Sequence, residues 1–232
     1  MVTKKETETK DLIANLTEDM SEVRVLPSPL KRATFWSVVS IALITVVTIA
    51  LMYMHKGLSL QNLPLFDNNP NSIDQKLSVL ECLSFILIGF ASLFACFKLS
   101  IPDIEHSRLS FILLGIATGF LALTTLLSFT NSDSLVMHEE LTHGGDHLCI
   151  EGLGAIIALP ALFIYRILKR TAPTLPAWTG YAALLGVVSF GTVAMRYLCS
   201  TETYAHLFLH HFAPAMVLSF FGLLIGKLFL RW

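Results

Sequence analysis

Six runs of about 18 to 24 apolar residues decide most of what this chain can become, because a helix needs about 20 such residues to cross roughly 30 Å of hydrocarbon. They lie near Phe35–Tyr53, Leu77–Phe97, Leu109–Phe129, Cys149–Ile167, Trp178–Leu198 and Leu207–Leu230, with charges, prolines and asparagines collected between them. In lipid every backbone polar group must be satisfied inside its own segment, so each run is read as a helix. Only 14% of the 232 residues are charged and 54% are hydrophobic, against about 25% charged in a soluble domain. The expected fold is an all-α integral membrane protein. Six transmembrane helices, residues 35–232, follow a tail, residues 1–34, that carries a short cytoplasmic amphipathic helix. The first run begins after that polar tail and ends without a small-residue cleavage site, so it is read as a retained span and not as a signal peptide.

Lys and Arg set the orientation, since positively charged loops resist translocation. Of the 16 basic residues, all but Lys56, Lys76 and Arg196 fall on the side of the N-terminus. That side is assigned to the cytoplasm, which puts both termini inside and the loops after spans one, three and five outside. The net charge of −1 averages a balanced tail with an outer face rich in Asp, Glu and His, and nothing supports binding to nucleic acid.

The tail is too short to build a core of its own. Within it, Leu12, Ile13, Leu16, Met20 and Val23 recur at helical spacing and form one narrow apolar stripe. Thr9 suits an N-cap, Asp11 suits the first turn, and Pro27 and Pro29 end the pattern. A helix of about 13 residues is marginal alone in water, so the stripe needs a surface to lie on. Asp11, Glu18, Asp19 and Glu22 make the segment acidic, whereas membrane-surface helices carry Lys and Arg. The pattern therefore favours a protein partner with an apolar groove and a basic rim over a lipid surface or a tail without a partner.

Four cysteines occur. Cys149 opens span four and Cys199 closes span five, so the topology brings both to the outer boundary, where a disulfide is chemically allowed if their Cα atoms approach within about 4.4–6.8 Å. The same face gathers His138, Glu139, Glu140, His143, Asp146 and His147, then Glu202, His206, His210 and His211. His206 and His210, four residues apart, share a helix face and are the candidate metal pair. No Cys-x-x-Cys or His-Glu-x-x-His signature appears, and solvated loops carry histidines without any metal.

Glu81, Glu151 and Arg196 fall within about one turn of the outer boundary, where long side chains reach headgroups or water. A transporter would place ionisable groups near the midplane, which is nearly empty of them, and no repeat relates the two halves of the chain. Gly115, Gly119, Gly152, Gly154, Gly180 and Gly186 are read as close helix–helix contacts. No nucleophile with its base, phosphate loop or cofactor fingerprint is present, so no enzyme and no cofactor are expected beyond an outer-face metal. A small-molecule or ion transporter and a metal-binding membrane protein stand as the alternative readings.

Taken together these residues resemble the NrsF-type membrane anti-sigma factors, over nearly the whole chain. The tail matches through Asp11-Leu-Ile-Ala-Asn-Leu16 and Val23-Arg-Val-Leu-Pro27, leading to Trp36. The second half matches through Cys149, Ala158-Leu-Pro160, Leu168-Lys-Arg-Thr-Ala-Pro173, Cys199 and His211-Phe-Ala-Pro214. Val25 stands where the family pattern favours proline and His210 where it favours tryptophan.

The resemblance implies that the tail binds an extracytoplasmic-function sigma factor at the bacterial inner membrane and keeps it from RNA polymerase, with Leu12, Ile13, Leu16, Met20, Val23 and Leu26 as its contacts. An acidic amphipathic helix facing a basic sigma-factor surface, its apolar stripe supplying affinity and its acids steering, agrees with the charge reading. The resemblance also implies that Cys149 and Cys199 take part in sensing at the outer face, by metal coordination, oxidation or disulfide exchange. Release would follow from a shift in the packing of the spans or from proteolysis.

Overall fold

The computed structural model describes residues 27–54, 73–101, 107–130, 134–135, 138, 147–171, 173–199 and 203–230. The proposed tail helix, with Leu12, Ile13, Leu16, Met20, Val23 and Leu26, lies outside them.

Six helices long and apolar enough to cross a membrane are present: α1 (Pro29–Met54), α2 (Ile73–Leu99), α3 (Ser107–Thr130), α4 (His147–Leu168), α5 (Pro176–Leu198) and α6 (Tyr204–Phe229). Among the described residues there is no strand. The chain is a membrane protein by this architecture. Each helix encloses its predicted run but for the last residue of the sixth, and most reach a few residues further, because the helical ladder continues past the hydrocarbon into polar flanks. At α1, Ser28 Oγ accepts the Lys31 N–H at 3.5 Å and Ser28 O accepts the Arg32 N–H at 3.1 Å, with Pro29 in the first turn, a start that costs no backbone donor.

The six helices do not share the core equally. In α5, 78% of the span is buried, against 17% in α1. α5 is the axle of the bundle, packed against α6 and α2 along its length and touched by α1 and α4 as well. The outer helices turn Val38, Val46, Ile112, Ile116, Leu224 and Leu228 away from the protein, as lipid-facing surfaces do. Buried hydroxyls on Ser189, Thr192 and Ser219 donate to carbonyls four residues back on their own helices, so these three polar groups enter the interior with their donors satisfied.

α5 and α6 meet backbone to backbone. Gly222 and Gly226, four residues apart, face Gly180 and Pro176, and a Cβ at Gly222 would stand 2.6 Å from the Gly180 carbonyl oxygen. Such small-residue contacts let helices associate where lipid gives no hydrophobic drive. Of the glycines expected at helix contacts, Gly180 and Gly186 are tightly packed and Gly152 meets the Met195 side chain, whereas Gly115, Gly119 and Gly154 have open space where a Cβ would go. Those last three sit on outward faces, which hydropathy alone does not distinguish from inward ones.

The topology gives the bundle two ends. The start of α1, the ends of α2 and α4, the start of α5 and the end of α6 share one. There Arg32, buried to 8% exposure, lies over the Phe97 ring at 4.7 Å and brings Nη1 within 3.5 Å of Ser100 Oγ. The ends of α1, α3 and α5 and the starts of α2, α4 and α6 share the other.

Candidate functional site

The end of the bundle opposite the start of α1 holds, among the described residues, a group of cysteine and histidine side chains close enough to share a metal ion. Three elements build it. Cys149 lies in the first turn of α4. Cys199 caps α5 in extended conformation, its N–H bonded to Met195 O at 2.9 Å. Thr203 then caps α6, its Oγ1 accepting the His206 N–H at 3.3 Å. The short α5–α6 connection forces the end of one helix and the start of the next to stay adjacent, so Cys199 and His206 meet.

α6 does not continue as a regular α-helix. After Tyr204–His206 the chain widens into a π-helical turn over Leu207–Phe212, and only from Ala213 does α geometry resume. The Ala213 N–H bonds Phe208 O, five residues back. Pro214 explains the placement: it has no N–H to offer His210 O, and its ring would press on that carbonyl in an α-helix. Widening the preceding turn relieves both faults. Such π turns are rare and concentrate at functional sites.

The wider turn changes which side chains share a face, because the five-residue hydrogen-bonded turn brings residues five apart much closer to one face than an α-helix does. His206 and His211 therefore point to one place. Ligand atoms of Cys149, Cys199, His206 and His211 all lie within 4.8 Å of one another. The two sulfurs are thiols 3.6 Å apart, and Cys199 Sγ is 3.2 Å from His206 Nε2. His210, the expected partner of His206, stacks on it with ring centroids 4.5 Å apart, and His211 meets the same ring edge-on at 5.6 Å. Spacing at four residues pairs His206 with His210; that His211 also meets His206 follows from the π turn, whose signal in the sequence is Pro214, three residues on.

The cluster is mostly buried, with Cys149 6% exposed, His206 2% and His211 1%, while Cys199 is partly exposed. Both ring nitrogens of His211 are buried without a hydrogen-bond partner among the described residues. Of the other ionisable groups expected at this end, Arg196 is buried within Coulombic reach of Glu81 and Glu151 is exposed. Cys82 and Tyr197 approach each other on the same side of the bundle, and Cys96 is fully buried at the opposite end as a packing residue. Glu139, Glu140, His143, Asp146 and Glu202 lie outside the described residues.

Comparison with known proteins places these features. No curated protein and no solved structure matches the chain. The model of the NrsF family, described as negative regulator of sigma F, matches residues 16–232, from Leu16 in the tail through both cysteines and the histidine cluster. The match covers all six helices in their observed order, and on it the chain belongs to the NrsF family of negative regulators of a sigma factor.

Proposed function

We propose that this protein is an anti-sigma factor of the inner membrane that holds an extracytoplasmic-function sigma factor on its cytoplasmic N-terminal tail and lets it go when Cys149 and Cys199 respond to a signal at the outer face. The observation that carries this reading is the family match over residues 16–232. Two others support it. The tail's acidic amphipathic pattern suits a basic partner surface, and Lys and Arg concentrate on the tail's side of the membrane. The tail and the thiols then sit on opposite sides of the bilayer, so the spans must carry the response.

α1, which continues the tail, packs against α4, which carries Cys149, and against α5, which carries Cys199. A change in how the outer ends of α4 and α5 meet thus has a direct mechanical route to the helix from which the tail emerges. Coupling of this kind requires two packings that the signal separates in energy. No catalytic role is proposed.

The test is co-purification of the full-length chain with its sigma factor from membranes, comparing the native form with Leu16→Glu. The native chain retains the sigma factor and Leu16→Glu loses it while still inserting. Absence of the sigma factor from the native complex would sink the reading.

A further inference from the structure

We infer that Cys149, Cys199, His206 and His211 form a closed four-coordinate site for a soft divalent cation, with zinc as the best-fitting ion. The inference deepens the outer-face sensing reading; its regulatory meaning rests on that reading, and ion binding itself does not.

Geometry is the first ground. A tetrahedral zinc ion, with bonds of about 2.3 Å to sulfur and about 2.0 Å to nitrogen, sets two sulfurs about 3.8 Å apart and a sulfur and a nitrogen about 3.5 Å apart. The observed separations are 3.6 Å for the sulfurs and 3.2 Å for Cys199 Sγ and His206 Nε2, and the loosest pair in the set lies within 4.8 Å. Small side-chain rotations bring all four atoms onto one ion.

His211 is the second. A side chain 1% exposed with both ring nitrogens unsatisfied leaves polar atoms in an environment where each lost hydrogen bond costs about 1–3 kcal/mol. A dative bond to an ion removes that cost at one nitrogen. The backbone also departs from α geometry where this imidazole needs to turn inward.

Charge selects the ion. Cysteine binds as thiolate, so each thiol releases its proton to solvent as its bond to the ion forms. Two thiolates and two neutral imidazoles carry −2, which a divalent cation cancels. A monovalent ion would leave a net negative charge in a buried site, and uncompensated buried charge is costly. Sulfur and imidazole together select a soft or borderline ion over magnesium or calcium. With all four positions filled by protein, the site offers no place to a reacting molecule and acts as a removable staple across α4, α5 and α6.

The experiment uses the full-length, tag-free chain in lipid nanodiscs, reduced, stripped with chelator and loaded with zinc alone, with no sigma factor present. The expected result is one ion per chain whose X-ray absorption fine structure shows two sulfur and two nitrogen neighbours. Cobalt in its place should give thiolate charge-transfer bands and the intense ligand-field bands of a tetrahedral ion, which zinc displaces. His211→Ala should weaken zinc by at least about tenfold. No stoichiometric uptake by the native chain, or an oxygen-rich shell, overturns the site even if His211→Ala fails to fold. Because the sigma factor is absent, failure here and failure of the anti-sigma reading are separate results.

Discussion

Cys199 Sγ lies 3.2 Å from His206 Nε2 across the connection between α5 and α6, and Cys149 Sγ on α4 lies 3.6 Å from the same sulfur. One sulfur thus joins three helix ends. Changing Cys149 or Cys199 to Ser should leave sigma-factor retention in place and blunt its release on induction, because the thiols stand at the far end from the tail. Expression of a sigma-dependent reporter, with immunoblotting of membranes, checks this. Disappearance of the protein from the membrane would instead assign both thiols to packing.

The tail makes a complementary prediction. Leu16→Glu places a charge in the middle of the apolar stripe, where Leu12, Ile13, Met20, Val23 and Leu26 flank it. Burial of one leucine against a partner is worth about 1.5–3 kcal/mol, so losing it and adding a buried carboxylate should weaken binding by more than about tenfold. The reporter should then be on without any inducer while membrane levels stay normal. Repression that persists would remove the stripe as the binding face.

Much of this architecture is legible in the residue order, and the misses share a cause. The six spans follow from run length, since nothing but a helix satisfies such runs in lipid. Both cysteines fall at one boundary because Cys149 opens a span and Cys199 closes the next. Which face a residue presents is another matter. Gly115 and Gly154 look like packing glycines in the sequence and prove to face outward, while the Gly222-Leu-Leu-Ile-Gly226 pattern marks the tightest contact. His211 escapes a four-residue period because the helix itself changes period at that turn.

The glycine contact sets a stability test. At Gly222 a Cβ would meet backbone atoms of Gly180 and Tyr181 at 2.6–3.0 Å, and neither helix has a flexible atom to yield. Gly222→Ala should cost about 1–3 kcal/mol, the range for overpacking a filled interior. Gly115→Ala, with nothing within 4 Å, should be neutral or gain up to about 1 kcal/mol from helix propensity. Reversible unfolding in mixed micelles measures both, and equal effects would refute the close approach.

At the tail end, Arg32 ties α1 to α2 through the Phe97 ring and Ser100. A cation over an aromatic face that is partly desolvated is worth about 0.5–2 kcal/mol. Arg32→Gln keeps a polar group near Ser100 but loses the charge over the ring, so stability should fall by about that amount. Phe97→Leu should do the same, and the double variant should cost less than the sum. Strict additivity in that cycle would show that the two side chains do not interact.

Pro214 offers the sharpest separation of backbone from ligand. It supplies no ligand atom, yet its missing N–H and its ring account for the π turn over Leu207–Phe212. With Pro214→Ala, an N–H becomes available to His210 O and an α-helix can close through the turn. Residues five apart then no longer share a face, and His211 swings out of line with His206. All four ligands remain in the sequence, but zinc affinity should drop by about tenfold or more, as it does when groups that orient a metal ligand are lost. Helix content and membrane insertion should be unchanged, since alanine is the stronger helix former. Native affinity in this variant would mean that the turn does not depend on Pro214 or that His211 does not need it. Lost affinity with intact sigma-factor retention would show that a single proline sets the geometry of the cysteine–histidine cluster while leaving the tail alone.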